Sequence, residues 1–387
     1  MDSFTFIGTL SNPKETEKFH PFERQTYQSG WTITTLLMRC HYGDSNVMLR
    51  LSGGKWADDS KNIVKTLKEK AEGDKKYPKQ DIEWSKRFDS EAIKSVPFFK
   101  RFVFDPVRAS VKQDLRNLIS QLKNGETETD LMKKYNVSDL NQAEDMLKKL
   151  YAKKKEFLVE HDFVEYLGTC VDWDKYKNSV FKITGTYESS YNANDQKFYT
   201  NYHVTSIHRV EDDEKQLGQL KANVYVGKDS FDTMDYDEDG CARINGWTSY
   251  YDAQEKKNGF RPIMISVYGN AALINRFQYL FDNVPAEIVS TQLVCDIVNG
   301  TQYREATLDD LDDETKEDIK FGLTTLESQR QRMGRVAGST ISEFRFVDKL
   351  TIFQKTDYLE ESMCPASGNA QQTSDDMDDG DLPFDLD

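Results

Sequence analysis

A chain of 387 residues with a formal net charge of −15 is long enough for two or three domains, each with its own core. The acid excludes a uniformly basic surface, but it is unevenly spread: from Thr356 onward there are ten acids and no Lys or Arg, leaving 51 basic against 56 acidic residues in the body, which keeps room for basic grooves. No stretch reads as a signal peptide or a membrane span, so the expectation is a soluble, cytoplasmic protein.

Taken in order, Phe4–Leu10 reads as a strand. Trp31–Tyr42 and Asn46–Ser52 form a hairpin through Gly43, Asp44 and Ser45. In its second strand Val47, Leu49 and Leu51 point one way and Met48 and Arg50 the other, which marks a sheet with one face free. From about 58 to 162 the texture turns helical and charged, with helix spacing over Val107–Lys123 and Ser138–Val159 and a basic-aromatic island at Val96–Phe104. Strands return at Ser179–Tyr187 and Phe198–Val210.

The acidic stretch 211–220 reads as a linker, after which the pattern repeats. Strands are expected at Lys221–Phe231, Ala242–Tyr251 and Phe260–Tyr268, a helix at Ala271–Phe281, and strands at Ser290–Val298 and Glu343–Phe353. Three strands, a helix and two strands is the order of the OB-fold, a five-stranded barrel that binds oligonucleotides. The expected class is therefore mainly β with a helical insertion (α+β): two OB-fold-like five-stranded barrels over 1–210 and 221–355, and a disordered acidic tail over 356–387.

The aromatic content, 22 Phe, 19 Tyr and 5 Trp, includes many residues in polar strand-like segments, as base stacking requires. In the first barrel the candidates for nucleic-acid contact are Trp31, Arg39, His41, Arg50, Tyr187, Tyr199 and His203. In the second, Ile263, Ile265 and Val267 form an inner face, which sets Phe260 and Tyr268 outward; Arg243, Trp247 and Tyr251 share a face of the neighbouring strand. Packing against the first barrel or the insertion is the competing role for these aromatics. The connection between the last two strands, with Arg330, Arg332 and Arg335 beside Gly334 and Gly338, reads as a flexible basic loop able to clamp a strand.

Other chemistries find little footing. Gly53-Gly54-Lys55-Trp56 lacks a full phosphate-loop pattern. Asp235, Asp237 and Asp239 begin a calcium-loop pattern, but its twelfth position is Gly246 where glutamate is required, and strands flank it. The five scattered cysteines show no metal-ligand spacing and read as reduced thiols. No cofactor, metal or catalytic residue is expected.

The last fourteen residues carry seven aspartates and an apolar plug, Leu382-Pro383-Phe384. Such a segment self-repels and cannot bury enough apolar surface to fold. Asp378, Asp379 and Asp381 running into Leu382, Pro383 and Phe384 resemble the acidic tip of bacterial and phage single-stranded DNA-binding proteins. Here Asp385, Leu386 and Asp387 follow, where the bacterial tip stops at Phe. The body looks more like the larger phage or mobile-element members. The resemblance implies a tip that docks on replication and recombination proteins and competes with DNA for the chain's own surface, in a host cytoplasm for a phage-encoded chain. The expected function is thus non-catalytic, largely sequence-independent binding of single-stranded DNA in replication, recombination and repair, with self-association as a further possibility. A protein-interaction scaffold and a metal-dependent nuclease using Asp235, Asp237 and Asp239 are the alternatives.

Overall fold

β1 (Ser3–Ser11) is the strand on which the two halves of the chain meet. The structure is a computed structural model that describes residues 2–16, 19–65, 81–126, 129–192, 197–234, 236, 240–252, 257–348 and 353–363, the side chains of 65, 191–192, 197, 251–252, 257, 302–304, 335, 337–339 and 348 excepted. The acidic tip, including Asp378, Asp379, Asp381, Leu382, Pro383 and Phe384, lies outside the described residues, as do Asp235, Asp237 and Asp239.

In the first half the strands are β2 (Phe22–Thr26), β3 (Trp31–Tyr42), β4 (Ser45–Trp56), β5 (Ile63–Lys65), β6 (Asp81–Glu83), β7 (Phe102–Asp105), β8 (Lys155–Phe157), β9 (Val180–Asn192) and β10 (Lys197–Arg209). Its helices are α1 (Ser90–Ser95), α2 (Ala109–Lys123), α3 (Asp130–Tyr135), α4 (Leu140–Lys153) and α5 (Glu160–Thr169). The second half has β11 (Leu217–Val226), β12 (Phe231–Asp232), β13 (Cys241–Asp252), β14 (Lys257–Tyr268), α6 (Ala271–Asp282), β15 (Val289–Glu305), α7 (Asp313–Lys320), α8 (Leu326–Met333), β16 (Arg335–Asp348), β17 (Gln354–Lys355) and α9 (Glu360–Met363). The chain is mainly β with several helices. None of its described helices is long and apolar enough to cross a membrane.

Two circuits of strand pairing meet where β1, a strand of the first, pairs with β11, a strand of the second. In the first, β1 pairs antiparallel with β9 and β3, β3 with β4, and β9 with β10, while β4 and β10 approach within 8 Å between Cα atoms. In the second, β11 pairs antiparallel with β15 and, at Tyr225 opposite Trp247, with β13; β13 pairs with β14, β14 runs parallel to β16, and β16 pairs with β15. One edge of β1 carries β9; the other carries β11 along Ser3–Ile7 and hands over to β3 at Thr9. Gly8 sits at the handover, where a side chain would run into the His41 carbonyl.

Side-chain alternation explains the core. Leu36, Met38 and Cys40 of β3, Val47, Leu49 and Leu51 of β4, Phe181 and Ile183 of β9, and Leu220, Ala222 and Val224 of β11 are all buried at period two. They belong to one continuous apolar cluster that runs from the first circuit into the second. Phe6 lies at its centre, with ring centroids 5.2 Å from Tyr42 and 5.1 Å from Tyr202. The stretch expected as a linker is in part this shared sheet, because β11 begins at Leu217 and Leu217–Lys221 pair with β1. Glu211 and Asp212 of the remainder face Arg108, at 3.7 and 3.1 Å.

The insertion is less helical than its periodicity suggests. The helix expected over Ser138–Val159 ends at Lys153, and Lys155–Phe157 turns into β8, which extends the main sheet beside β7. α2 and α4 have a small core of their own around Leu115, Leu118 and Ala143. α5, unforeseen from the sequence, buries Phe163, Val164 and Leu167 in the main core against β3 and β4, and it precedes β9 as α6 precedes β15. The expected basic loop is instead the pair α7 and α8, and Asp309–Lys320 holds seven acids against Lys316 and Lys320.

Candidate nucleic-acid interface

Because the even-numbered residues of β3 and the odd-numbered residues of β4 enter the core, the opposite set is turned outward together. Register places Trp31 opposite Trp56, Leu37 opposite Arg50, Arg39 opposite Met48 and His41 opposite Asn46. This outer face therefore gathers Trp31, Arg39, His41 and Arg50, four of the sequence candidates, on one hairpin.

The indoles of Trp31 and Trp56 meet edge to face, 5.1 Å apart at 67°, the geometry that the ring quadrupoles favour. Trp31 lies across Gly54, where any side chain would run into its six-membered ring. Asn62 holds the far end: its amide nitrogen donates to the Trp56 carbonyl and its amide oxygen accepts from the Trp56 N–H, both at 2.8 Å. The Lys61 ammonium stands 5.9 Å from the Trp56 ring. None of Trp56, Gly54, Lys61 and Asn62 is among the sequence candidates for nucleic-acid contact; Gly54 and Trp56 enter only in the rejected phosphate-loop pattern. Alternation carried on from Met48 and Arg50 through Ser52 and Gly54 would have added Trp56. Arg50 and His41 are exposed. Partial burial and the Arg39 charge hold His41 below the usual imidazole value, so at neutral pH the positive charge here comes from the arginines and lysines. Gly54→Val is expected to push Trp31 off the sheet while leaving the fold in place, with a changed near-ultraviolet circular dichroism spectrum and an unchanged far-ultraviolet one.

Beneath this face α5 is locked to β2 and β3. Arg24 donates from Nε and Nη2 to the two Glu165 carboxylate oxygens at 2.7 and 2.6 Å, and Thr34 Oγ1 donates to Glu165 Oε1 at 2.7 Å. Arg24 first, and then Thr34, keep the Glu165 carboxyl below its ordinary value of 4.5. A depressed carboxyl stabilises the fold fully above its unfolded value and loses that contribution as pH falls through the folded one. Glu165→Gln is therefore expected to lower stability at pH 7 and to narrow the gap to the parent chain as pH falls below 4.5, measured by urea unfolding across that range.

Other candidates have different surroundings. Tyr187 is 7% exposed because its position continues the inward set of Phe181 and Ile183; Arg261 of β14 donates to its hydroxyl at 2.7 Å, and Phe344 of β16 meets its ring at 6.0 Å. It is a joint between the halves and has no open face for a base. His203 Nδ1 is 3.2 Å from Glu160, which raises its pKa, and its ring meets Phe102 at 5.8 Å. Tyr199 is exposed on β10.

On the second hairpin, Arg243 and Trp247 lie outward and half-buried. Phe260 is outward by register but only 6% exposed: Tyr358 packs on its ring at 4.8 Å, and Met363 joins its cluster with Ile288, Tyr225 and Trp247. The chain's own segment 354–363 thus takes this end of the face. At the other end Tyr268 is exposed; Arg345 stands 5.1 Å from its ring, and burial, then Glu343, push its hydroxyl up to about 12. Arg330 is spent on the root of α8, donating to the Ala306 carbonyl at 2.8 Å and pairing with Glu305 at 3.3 Å. Arg332 is exposed. The side chains of Tyr251 and Arg335 lie outside the described residues. Among the described residues no cluster of potential metal ligands occurs.

No protein-family model matches the chain. No curated protein matches it either. Among solved structures, a crystal structure of a deletion mutant of the single-stranded DNA binding protein from Thermus aquaticus is similar over 78% of this chain and 87% of that chain, with a TM-score of 0.31 and 9% sequence identity.

Proposed function

We propose that the two circuits are OB-type barrels and that the chain binds single-stranded DNA on the outer face of β3 and β4. The observation that carries the reading is the Trp31–Trp56 pair, set on an outward sheet face beside Arg50, Arg39 and Lys61. Flat aromatic faces accept any unpaired base, while nearby cations neutralise phosphates, and neither reads sequence. The order of pairing supports the barrels: in the second circuit the first strand (β11) meets the second (β13) and the fourth (β15), and the fifth (β16) lies between the fourth and the third (β14). This is the closure of a Greek-key barrel with α6 between its third and fourth strands. The second hairpin contributes less to binding, because segment 354–363 covers Phe260.

The acidic tail competes with DNA for the β3–β4 face and offers Pro383 and Phe384 to partner proteins of replication or recombination. Comparing the full chain with one ending at Gln372 tests this. The shortened chain is expected to bind a labelled oligonucleotide more tightly, the gain being largest at low salt, where exposed charges are least screened. Equal affinity of the two chains at every salt concentration would remove the tail from the account.

A further inference from the structure

Two exposed apolar features lie outside the interface and carry opposite charge. The first is the turn between α7 and α8. α7 closes in a Schellman motif: the Gly322 N–H donates to the Ile319 carbonyl at 3.1 Å and the Leu323 N–H to the Asp318 carbonyl at 2.9 Å, with Gly322 at φ +77°. In this motif the residue in the place of Leu323 commonly packs back on the one in the place of Asp318. Aspartate offers no apolar surface, so Leu323 is 76% exposed and its neighbour Phe321 74% exposed. The main chain thus holds two apolar side chains outward at the tip of an arm whose α7 side is acidic. The second feature is the turn Phe98–Lys100 before β7, where Phe98 is 52% and Phe99 64% exposed. Residues 94–101 hold Lys94, Lys100 and Arg101 and no acid, although Asp89 and Glu91 stand at the start of α1. Arg101 and Lys154 share Glu156, at 2.6 and 2.5 Å, and Lys154 also lies 4.8 Å from the Phe98 ring. Lys94 and Lys100 have no ion pair among the described residues.

We propose that the α7–α8 arm of one copy docks its Phe321–Leu323 tip on the Phe98–Phe99 turn of a second copy, with the acids of α7 facing Lys94 and Lys100. Apolar tips this exposed mark interaction surfaces. The charge of each favours the other over a like copy of itself. The two surfaces differ, so the contact is head-to-tail and leaves an unused arm at one end and an unused turn at the other. Unless the rotation between copies closes a ring, the product is an open chain, held by a small, salt-sensitive contact. The inference does not depend on nucleic-acid binding.

Sedimentation velocity of the full chain without nucleic acid tests it. At low salt the mean sedimentation coefficient is expected to rise with concentration without levelling at a dimer, and to fall back to the monomer value at high salt. An arm variant (Phe321→Ser with Leu323→Ser) and a turn variant (Phe98→Ser with Phe99→Ser) should each remain monomeric alone. Mixed, they should form one-to-one dimers and nothing larger, because each keeps the surface the other has lost. Lys94→Glu with Lys100→Glu, which leaves the apolar residues in place, should also stay monomeric. A monomer at every concentration, association that survives the arm variant, or a mixture without dimers would overturn the proposal.

Discussion

Trp31→Ala and Trp56→Ala are each expected to weaken single-stranded DNA binding by about 1–3 kcal/mol, the range for a base stacked on an aromatic ring, or roughly five- to 150-fold in Kd. The two rings touch, so the double variant should cost less than the sum of the singles. Neither ring lies in the buried core, so the loss should come with only a modest fall in stability. An edge-to-face pair adds about 0.5–1.5 kcal/mol to what burial supplies. Trp247→Ala is the matched control. Trp247 packs beside Phe260 under segment 354–363, and its removal should lower stability while leaving affinity within about twofold, well inside the 1.4 kcal/mol that marks a tenfold change. Fluorescence anisotropy with a labelled oligothymidylate, alongside urea unfolding of each variant, separates the two effects. Equal affinity of the parent chain and the double variant would remove the β3–β4 face as the site.

The largest effect on stability is expected from Phe6→Ala, at about 3–5 kcal/mol for a fully buried aromatic ring. Phe6 is enclosed by Phe4, Tyr42 and Tyr202, and its strand pairs with both halves through β9 and β11. The main cluster is continuous across the two circuits, so this one substitution should shift the unfolding of both. Trp173 packs on Phe104 and Phe181 in the first half, and its fluorescence reports there. Hydrogen exchange of amides in β13 and β14 reports on the second half. Coincident transitions by both probes, displaced together in Phe6→Ala, are the expected result. Two separated transitions, with only the first displaced, would mean that 1–210 and 221–355 fold as independent domains.

Strand existence was legible wherever one face enters the core. The hairpin over Trp31–Tyr42 and Asn46–Ser52, the strands at Ala242–Tyr251 and Phe260–Tyr268, and the helix at Ala271–Phe281 all follow from period two or from three- and four-residue spacing. The misses share a cause: their shape depends on partners distant in sequence. β8 is three residues long and exists because β7 pairs with it. α5 carries helical spacing at Phe163, Val164 and Leu167, but it directly follows a lysine-rich helix from which only β8 separates it.

Faces were harder to read than elements. Register correctly turned Phe260 outward, but no local pattern announces that Tyr358 and Met363 return across almost a hundred residues to cover it. Tyr187 was recoverable, since it keeps step with Phe181 and Ile183. Counting arginines suggested a basic clamp between the last two strands. The acids of Asp309–Asp318 outnumber them, and Arg330 is bound at the root of the arm.

The central claim, that unpaired bases stack on the outer face of β3 and β4, is met most directly by quenching of intrinsic tryptophan fluorescence on titration with oligothymidylate at several salt concentrations. Of the five tryptophans, Trp84 and Trp173 are buried, and Trp247 is partly covered, which leaves Trp31 and Trp56 to respond. The account expects saturable quenching, weakened by salt and lost when both are replaced. Tight binding with no quenching would place the bases elsewhere, and no binding even at low salt would contradict the function itself.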